Sequence, residues 1–243
     1  EDDDGGGVHP GVLGHGPEVT RLAVPAPVPS LTATRVHSVS AAAHTLVVTE
    51  AGAVLSFGSG GNGRLGHGDN EVQRTPKVIE ALRGERVAAV AAGYDHSLVL
   101  TEAGAVLSFG HGGRGRLGHG DEEDQLTPKV IEALCGVRVV AVAAGEVHSL
   151  VLTEAGAVLS FGQGAFGPLG HGDEEDQLTP QVIEALRGER VVAMAAGACH
   201  SVCVLQDGRA FGWGTGTGED AWTLGLQLAA NQLTPLEYPT LRL

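Results

Sequence analysis

The chain repeats itself every 52 residues. His44, His96, His148 and His200 mark the interval, and Leu-Gly-His-Gly begins at Leu13, Leu65, Leu117 and Leu169 on the same spacing. Phe57-Gly58, Phe109-Gly110, Phe161-Gly162 and Trp213-Gly214 keep it too. Residues 97–148 agree with 149–200 at 42 of 52 positions. Units of this size cannot cover their own apolar faces, so they stack and bury surface against their neighbours. The ends are less regular. Before His44 the chain is one residue short, and Leu224-Gly225 lies three residues late. Leu22–Leu31, with Pro25, Pro27 and Pro29, fits the period poorly. Two regions follow: residues 1–34, an irregular N-terminal segment with the partial repeat Leu13-Gly14-His15-Gly16, and 35–243, the tandem repeats.

Within a unit, Val87–Ala92 reads as a short apolar segment ending at Gly93. Ser97–Thr101 and Ala105–Gly110 are β-rich runs either side of Glu102-Ala103-Gly104, a hairpin signal. The Gly-rich stretch 110–120 is a loop. Thr127–Leu134 allows two readings. Thr as N-cap, Pro next and Gly136 after the end describe a short helix. A strand opening with Pro on a sheet edge describes the same residues. With a strand, each unit has the four strands of a propeller blade; with a helix, a β/α solenoid follows.

The unit resembles the regulator of chromosome condensation repeat. Val139-Val140-Ala141-Val142-Ala143-Ala144-Gly145, His148-Ser149, Glu154-Ala155-Gly156, Phe161-Gly162 and Leu169-Gly170-His171-Gly172-Asp173 carry the likeness, which covers roughly residues 35–235. The resemblance implies an all-β fold, a β-propeller usually of seven blades, and so the strand reading of Thr127–Leu134. Seven blades on this period need about 364 residues. Four clear blades are expected here, as part of a seven-bladed ring, as an open arc or closed as a small ring of four to five blades. The opening Glu1-Asp2-Asp3-Asp4 is no signal peptide and lacks Met, which points to a fragment or a processed form.

The net charge of −14 opposes direct nucleic-acid binding, which rests on Lys and Arg. No apolar run approaches the roughly 20 residues of a membrane span. Cys135, Cys199 and Cys203 show no disulfide framework, which fits an intracellular setting, cytoplasmic or nuclear. Gly58-x-Gly60-x-x-Gly63 and its copies match the dinucleotide string, but no helix opens after them to meet a pyrophosphate. Zinc would need histidines converging on one ion, and equivalent positions of neighbouring blades lie too far apart. The expectation is that each His-Ser histidine bonds within its own blade. No nucleophile elbow or other catalytic constellation appears, so no catalytic residue, metal or cofactor is expected.

A binding platform for protein partners remains. Asp121, Glu122, Glu123, Asp124 and Asp173, Glu174, Glu175, Asp176 recur on adjacent units as an acidic rim that would steer a basic partner. Exchange-factor members of the resembled family use histidines and acidic residues on blade loops, which adds His96, His148 and His200. The resemblance also implies two alternatives: guanine-nucleotide exchange on a small GTPase, and the substrate-recruiting region of a larger ubiquitin ligase. Trp213 and Trp222 are too few for the tryptophan cluster of the family's ultraviolet-B receptors.

Overall fold

The computed structural model describes residues 11–215 and 232–238. Among the described residues, sixteen strands form four antiparallel four-stranded sheets, each in chain order. Blade 1 holds β1 (Val36–Ala41), β2 (His44–Thr49), β3 (Val54–Gly58) and β4 (Gln73–Val78). Blade 2 holds β5 (Val87–Ala92), β6 (His96–Thr101), β7 (Val106–Gly110) and β8 (Gln125–Val130). Blade 3 holds β9 (Val139–Ala144), β10 (His148–Thr153), β11 (Val158–Gly162) and β12 (Gln177–Val182). Blade 4 holds β13 (Val191–Ala196), β14 (His200–Leu205), β15 (Ala210–Gly214) and β16 (Gln232–Glu237). The all-β propeller architecture is as the sequence implies.

The hairpin turn closes where Glu102-Ala103-Gly104 places a glycine at φ +87. There the Gly104 N–H donates to the Thr101 carbonyl at 2.9 Å. The one-residue deficit of the first unit falls in the tip between β1 and β2. Ala42-Ala43 stands there, against Gly93-Tyr94-Asp95 in blade 2.

The ambiguous Thr-Pro segment divides. Gln125–Val130 is an outer strand paired only with β7, and Pro128 falls where the register skips between Ser108↔Lys129 and Gly110↔Gln125. A missing N–H costs nothing at such a place. The strand stops short of the expected Leu134, because Glu132–Leu134 turns as a 3₁₀ helix. Ile131 and Leu134 are both buried in one cluster while Ala133 is exposed. Continued alternation would put Ile131 and Ala133 on one face; the turn brings Ile131 and Leu134 together instead.

Strand alternation gives each blade two apolar faces. In β6, Val99 faces blade 1 and packs with Leu46, Val48 and Ile79. Its neighbours Leu98 and Leu100 face blade 3 and pack with Val139, Val151 and Phe161. The same division places Leu150 and Leu152 of β10 against Val191, Cys203 and Trp213 of blade 4. Each fully buried side chain of this size contributes about 1.5–3 kcal/mol. The core is therefore three seams between blades.

Loops reinforce the seams. The glycine of each Leu-Gly pair lies flat on the next blade's aromatic ring: a Cβ on Gly66 would come within 2.9 Å of Phe109, and one on Gly170 within 2.8 Å of Trp213. Gly68 then donates its N–H to the Leu126 carbonyl of the next blade's outer strand at 2.9 Å. The N-terminal partial repeat does the same for blade 1. Gly14 lies on Phe57, and the Gly16 N–H donates to the Arg74 carbonyl at 2.9 Å. Gly11–Gly16 thus stands where the loop of a preceding blade would stand.

Candidate functional site

Two loop sets emerge at one end of the blades, the β1–β2 tips and the long β3–β4 loops. The register His96↔Gly110 and Gly110↔Gln125 brings them together. At the hub, tips from all four blades, including Ala42, Gly93, Tyr94, Gly145, Glu146 and Gly197, enclose a shallow depression of about 300 Å3. The opposite end carries the hairpin turns and the Glu-Ala-Leu 3₁₀ turns that follow the outer strands.

The acidic residues of the loop-rich rim divide by role. Asp124 accepts the Gly112 N–H at 2.8 Å with one carboxylate oxygen and Asn62 Nδ2 of blade 1 at 3.0 Å with the other. Asp176 likewise accepts the Gly164 N–H at 2.9 Å and Arg114 of blade 2 at 3.1 Å. Both tie a loop to its predecessor. Asp121 and Asp173 accept the N–H two residues on, from Glu123 and Glu175, at 3.1 Å. Glu122, Glu123 and Glu175 are exposed and enter no ion pair among the described residues. Asp124→Ala is expected to cost about 1–2 kcal/mol, as two bonds to a charged acceptor are lost. Glu122→Ala should stay within about 0.5 kcal/mol. Urea unfolding of the pair checks this; equal costs would remove the assigned roles.

The charge is uneven between the two ends. On the hairpin end, Arg35 meets Glu50, Arg86 meets Glu102, Arg138 meets Glu154 and Arg209 meets Glu189. On the loop-rich end, Asp121–Asp124 and Asp173–Asp176 outnumber Arg64, Arg114 and Arg116.

Arg64 and Arg116 were not among the residues singled out from sequence. Each is buried and curls back on its own loop, donating Nε to the Gly61 and Gly113 carbonyls at 2.9 and 3.0 Å. Each also reaches the next tip, at the Tyr94 and Glu146 carbonyls. Arg64 meets Asp95 as an ion pair. Val147 takes the corresponding place beside Arg116, whose pKa is pushed down by desolvation. Tyr94 is 44% exposed at the hub rim. Its sequence signal is an aromatic at a position between Gly and His where the other units carry Glu146 and Ala198.

The histidines correct an expectation. His44, His96 and His148 do not bond within their own blades. Their Nε2 atoms lie 2.6, 2.8 and 2.8 Å from the hydroxyls of Ser97, Ser149 and Ser201, each on the following blade. Those hydroxyls donate to the Arg64, Arg116 and Pro168 carbonyls at 2.8, 2.8 and 2.9 Å. With the serine proton used there, the histidine must donate from Nε2. Burial holds His148 down at about 3 and His96 well below the usual imidazole range, the latter with help from Arg116. Both are fully buried in seams, away from any partner's reach, and His200 is half-buried. The second series, His67, His119 and His171, does bond within its blade, to Ser56, Ser108 and Ser160.

The glycine string has a steric cause. A Cβ at Gly60, Gly112 or Gly164 would lie 2.0–2.1 Å from the carbonyl oxygen of Glu71, Glu123 or Glu175. Cys203 is buried and its thiol is pushed up to about 12 by desolvation; Cys135 is exposed. Among the described residues no group of three or more His, Cys, Asp or Glu could hold a metal ion. No helix there is long and apolar enough to cross a membrane. Trp213 is buried with its indole N–H on the Pro168 carbonyl, whereas Trp222 lies outside the described residues.

The chain is similar to proteins of several kinds. It is 41% identical over 195 residues to the ultraviolet-B receptor UVR8 of Arabidopsis thaliana, covering 80% of this chain and 44% of that protein. It is 40% identical over 207 residues to the human E3 ubiquitin-protein ligase HERC2, covering 84% of this chain and 4% of that one. Among solved structures, Prp20p of Saccharomyces cerevisiae superposes with a TM-score of 0.74 at 26% identity, over 87% of this chain and 52% of its own. That structure is described together with its binding properties to Gsp1p and histones. Human WBSCR16 superposes at 0.72 and 26% identity, over 85% and 52%. The chain spans about half the length of these structures and less of the two sequence relatives. The RCC1-like domain family matches residues 5–241. A match over almost the whole chain, on four-stranded blades packed face to face, makes this chain a member of the RCC1-like domain family.

Proposed function

We propose that the chain is a protein-interaction platform whose loop-rich rim receives a basic protein surface. The observation that carries this is the uneven pairing of charge: the hairpin-turn carboxylates Glu50, Glu102, Glu154 and Asp207 each have an arginine partner, whereas Glu122, Glu123 and Glu175 at the loop-rich end have none among the described residues. An unneutralised acidic rim raises encounter rates with a cationic partner and favours its docking. Asp121, Asp124, Asp173 and Asp176 shape the loops that present those glutamates, with Glu174 beside them. A relative whose structure is described with binding to histones supports a basic partner class.

The test uses core histones as the basic probe. Binding should weaken steeply between about 50 and about 300 mM salt. Replacing Glu122, Glu123, Glu174 and Glu175 by Lys should lower affinity by roughly tenfold or more. Glu85→Lys with Glu132→Lys, at the opposite end, should leave it unchanged. Equal loss from both sets, or no binding at low salt, would retire the reading.

A second reading, exchange on a small GTPase, is favoured by the same relative's binding to Gsp1p. The chain would then supply no covalent chemistry and act by loosening bound GDP. Fluorescent-GDP release separates the two: a rate increase supports exchange, and histone binding without one supports the platform alone. Substrate recruitment within a larger ubiquitin ligase rests on the HERC2 likeness and uses the same platform.

A further inference from the structure

The third β3–β4-type loop departs from the repeat. Ten positions distinguish residues 97–148 from 149–200, and four of them fall together: His111, Gly113, Arg114 and Arg116 give way to Gln163, Ala165, Phe166 and Pro168. The course of the backbone is shared all the same. Gly63, Gly115 and Gly167 each seat on a leucine of the next outer strand, Leu126, Leu178 and Leu233. The divergence therefore changes what the loop presents.

Phe166 is the sharpest of these changes. Among the described residues three non-glycine positions have left-handed backbone, Asn62, Arg114 and Phe166, at φ 56, 62 and 72, and they are one place in successive loops. Asparagine tolerates this conformation, whereas a bulky aromatic is strained in it. Asn62 and Arg114 direct their side chains to the next blade, at Asp124 and Asp176. A benzyl group has no donor for such a bond, and Phe166 is 49% exposed. Its mount is nonetheless fixed. The Gly167 N–H donates to the Gly164 carbonyl at 2.8 Å, and the Pro168 carbonyl accepts the Ser201 hydroxyl and the Trp213 indole N–H. A strained, exposed and firmly held aromatic serves binding better than it serves folding.

The charge around the ring says what would cover it. Residues 110–124 carry four carboxylates and two arginines; residues 162–176 carry the same four carboxylates and no Lys or Arg. Gly164, two residues before Phe166, lies against the Glu175 carbonyl, so the ring and the acidic run share one loop. The negative face of an aromatic ring beside carboxylates suits a cation. We propose that Phe166 receives a cationic side chain of the basic partner, an arginine or lysine lying across its ring with the charged end toward Glu174 and Glu175. This rests on the platform reading above and names the anchor point on its rim.

Core histones again serve as the probe, with urea unfolding run beside binding. Phe166→Asn should lower affinity roughly tenfold and raise the urea midpoint, since the ring is lost and the backbone strain relieved. Phe166→Leu keeps the strain but not the ring; it should weaken binding by about threefold or more and leave the midpoint near that of the wild type. Phe166→Trp should bind at least as tightly as the wild type. Wild-type affinity in Phe166→Asn or Phe166→Leu overturns the proposal, as does a lowered midpoint in Phe166→Asn. If the lysine substitutions of the rim glutamates still weaken binding in that case, the platform reading stands without this anchor. A wild type that binds no histone at low salt removes both.

Discussion

Acidification from about pH 7 to about pH 5 will lower the unfolding free energy by about 2 kcal/mol through His148 alone. The ring is neutral and fully buried, with a folded pKa of about 3 against 6.5 in the unfolded chain. The unfolded state therefore binds the extra proton across that window, and stability falls as pH falls. The contribution is fully present above about 6.5 and is lost progressively toward 3. His96 adds in the same direction, its pKa lowered by burial and by Arg116. Its Nδ1 and that of His148 find no hydrogen-bond partner, so a proton placed there would be buried and unpaired. Glu80, Glu184 and Asp207 have lowered values through arginine neighbours and lose their contributions only as pH falls below about 4.5. Urea unfolding at several pH values between 7 and 5 measures the slope. His148→Gln, which keeps an N–H but cannot titrate in this range, should flatten it by the His148 share. An equally steep variant would show that the acid sensitivity lies elsewhere.

Gly145→Ala is expected to destabilise the chain by about 3 kcal/mol. Its φ is not the obstacle. A Cβ there would sit 2.5 Å from the Gly197 carbonyl oxygen of blade 4 and 2.5–2.6 Å from the His148 ring. Either the hub tips part or the ring leaves Ser201, and both open a seam. Gly136→Ala gives the opposite case. That residue has φ +84 but nothing within 4 Å of a Cβ, so backbone strain of about 1–2 kcal/mol is the whole cost. Denaturant midpoints of the two variants, with unchanged m-values, decide between crowding and backbone strain. A milder effect at Gly145 than at Gly136 would contradict the seam geometry.

Much of the fold is legible in the sequence because the period forces it. The hairpin signal Glu102-Ala103-Gly104 and the Phe-Gly and Leu-Gly landmarks all fall where the repeat needs a turn, a ring or a glycine over a ring. The Thr-Pro segment needed the fold, although the three-residue spacing of Ile131 and Leu134 signals the turn that ends the strand. The histidine bonds cross blades, against the expectation that each stays within its own; neighbours in a strand lie on opposite faces, so His148 turns from Ser149 toward Ser201 of the next blade, which the sequence spacing alone does not show. The charge imbalance between the two ends was not legible, since only the register tells which loops share an end. Nor did the run Asp121–Asp124 reveal that Asp124 ties Asn62 of the previous blade while Glu122 stays exposed.

The His–Ser bond joins positions 53 residues apart, and among the described residues the seam contacts of a blade lie within itself or with an adjacent blade. A gene encoding such a chain can gain or lose one whole copy by unequal recombination without disturbing any remaining joint. The 42 positions shared by residues 97–148 and 149–200 keep those joints interchangeable from one copy to the next.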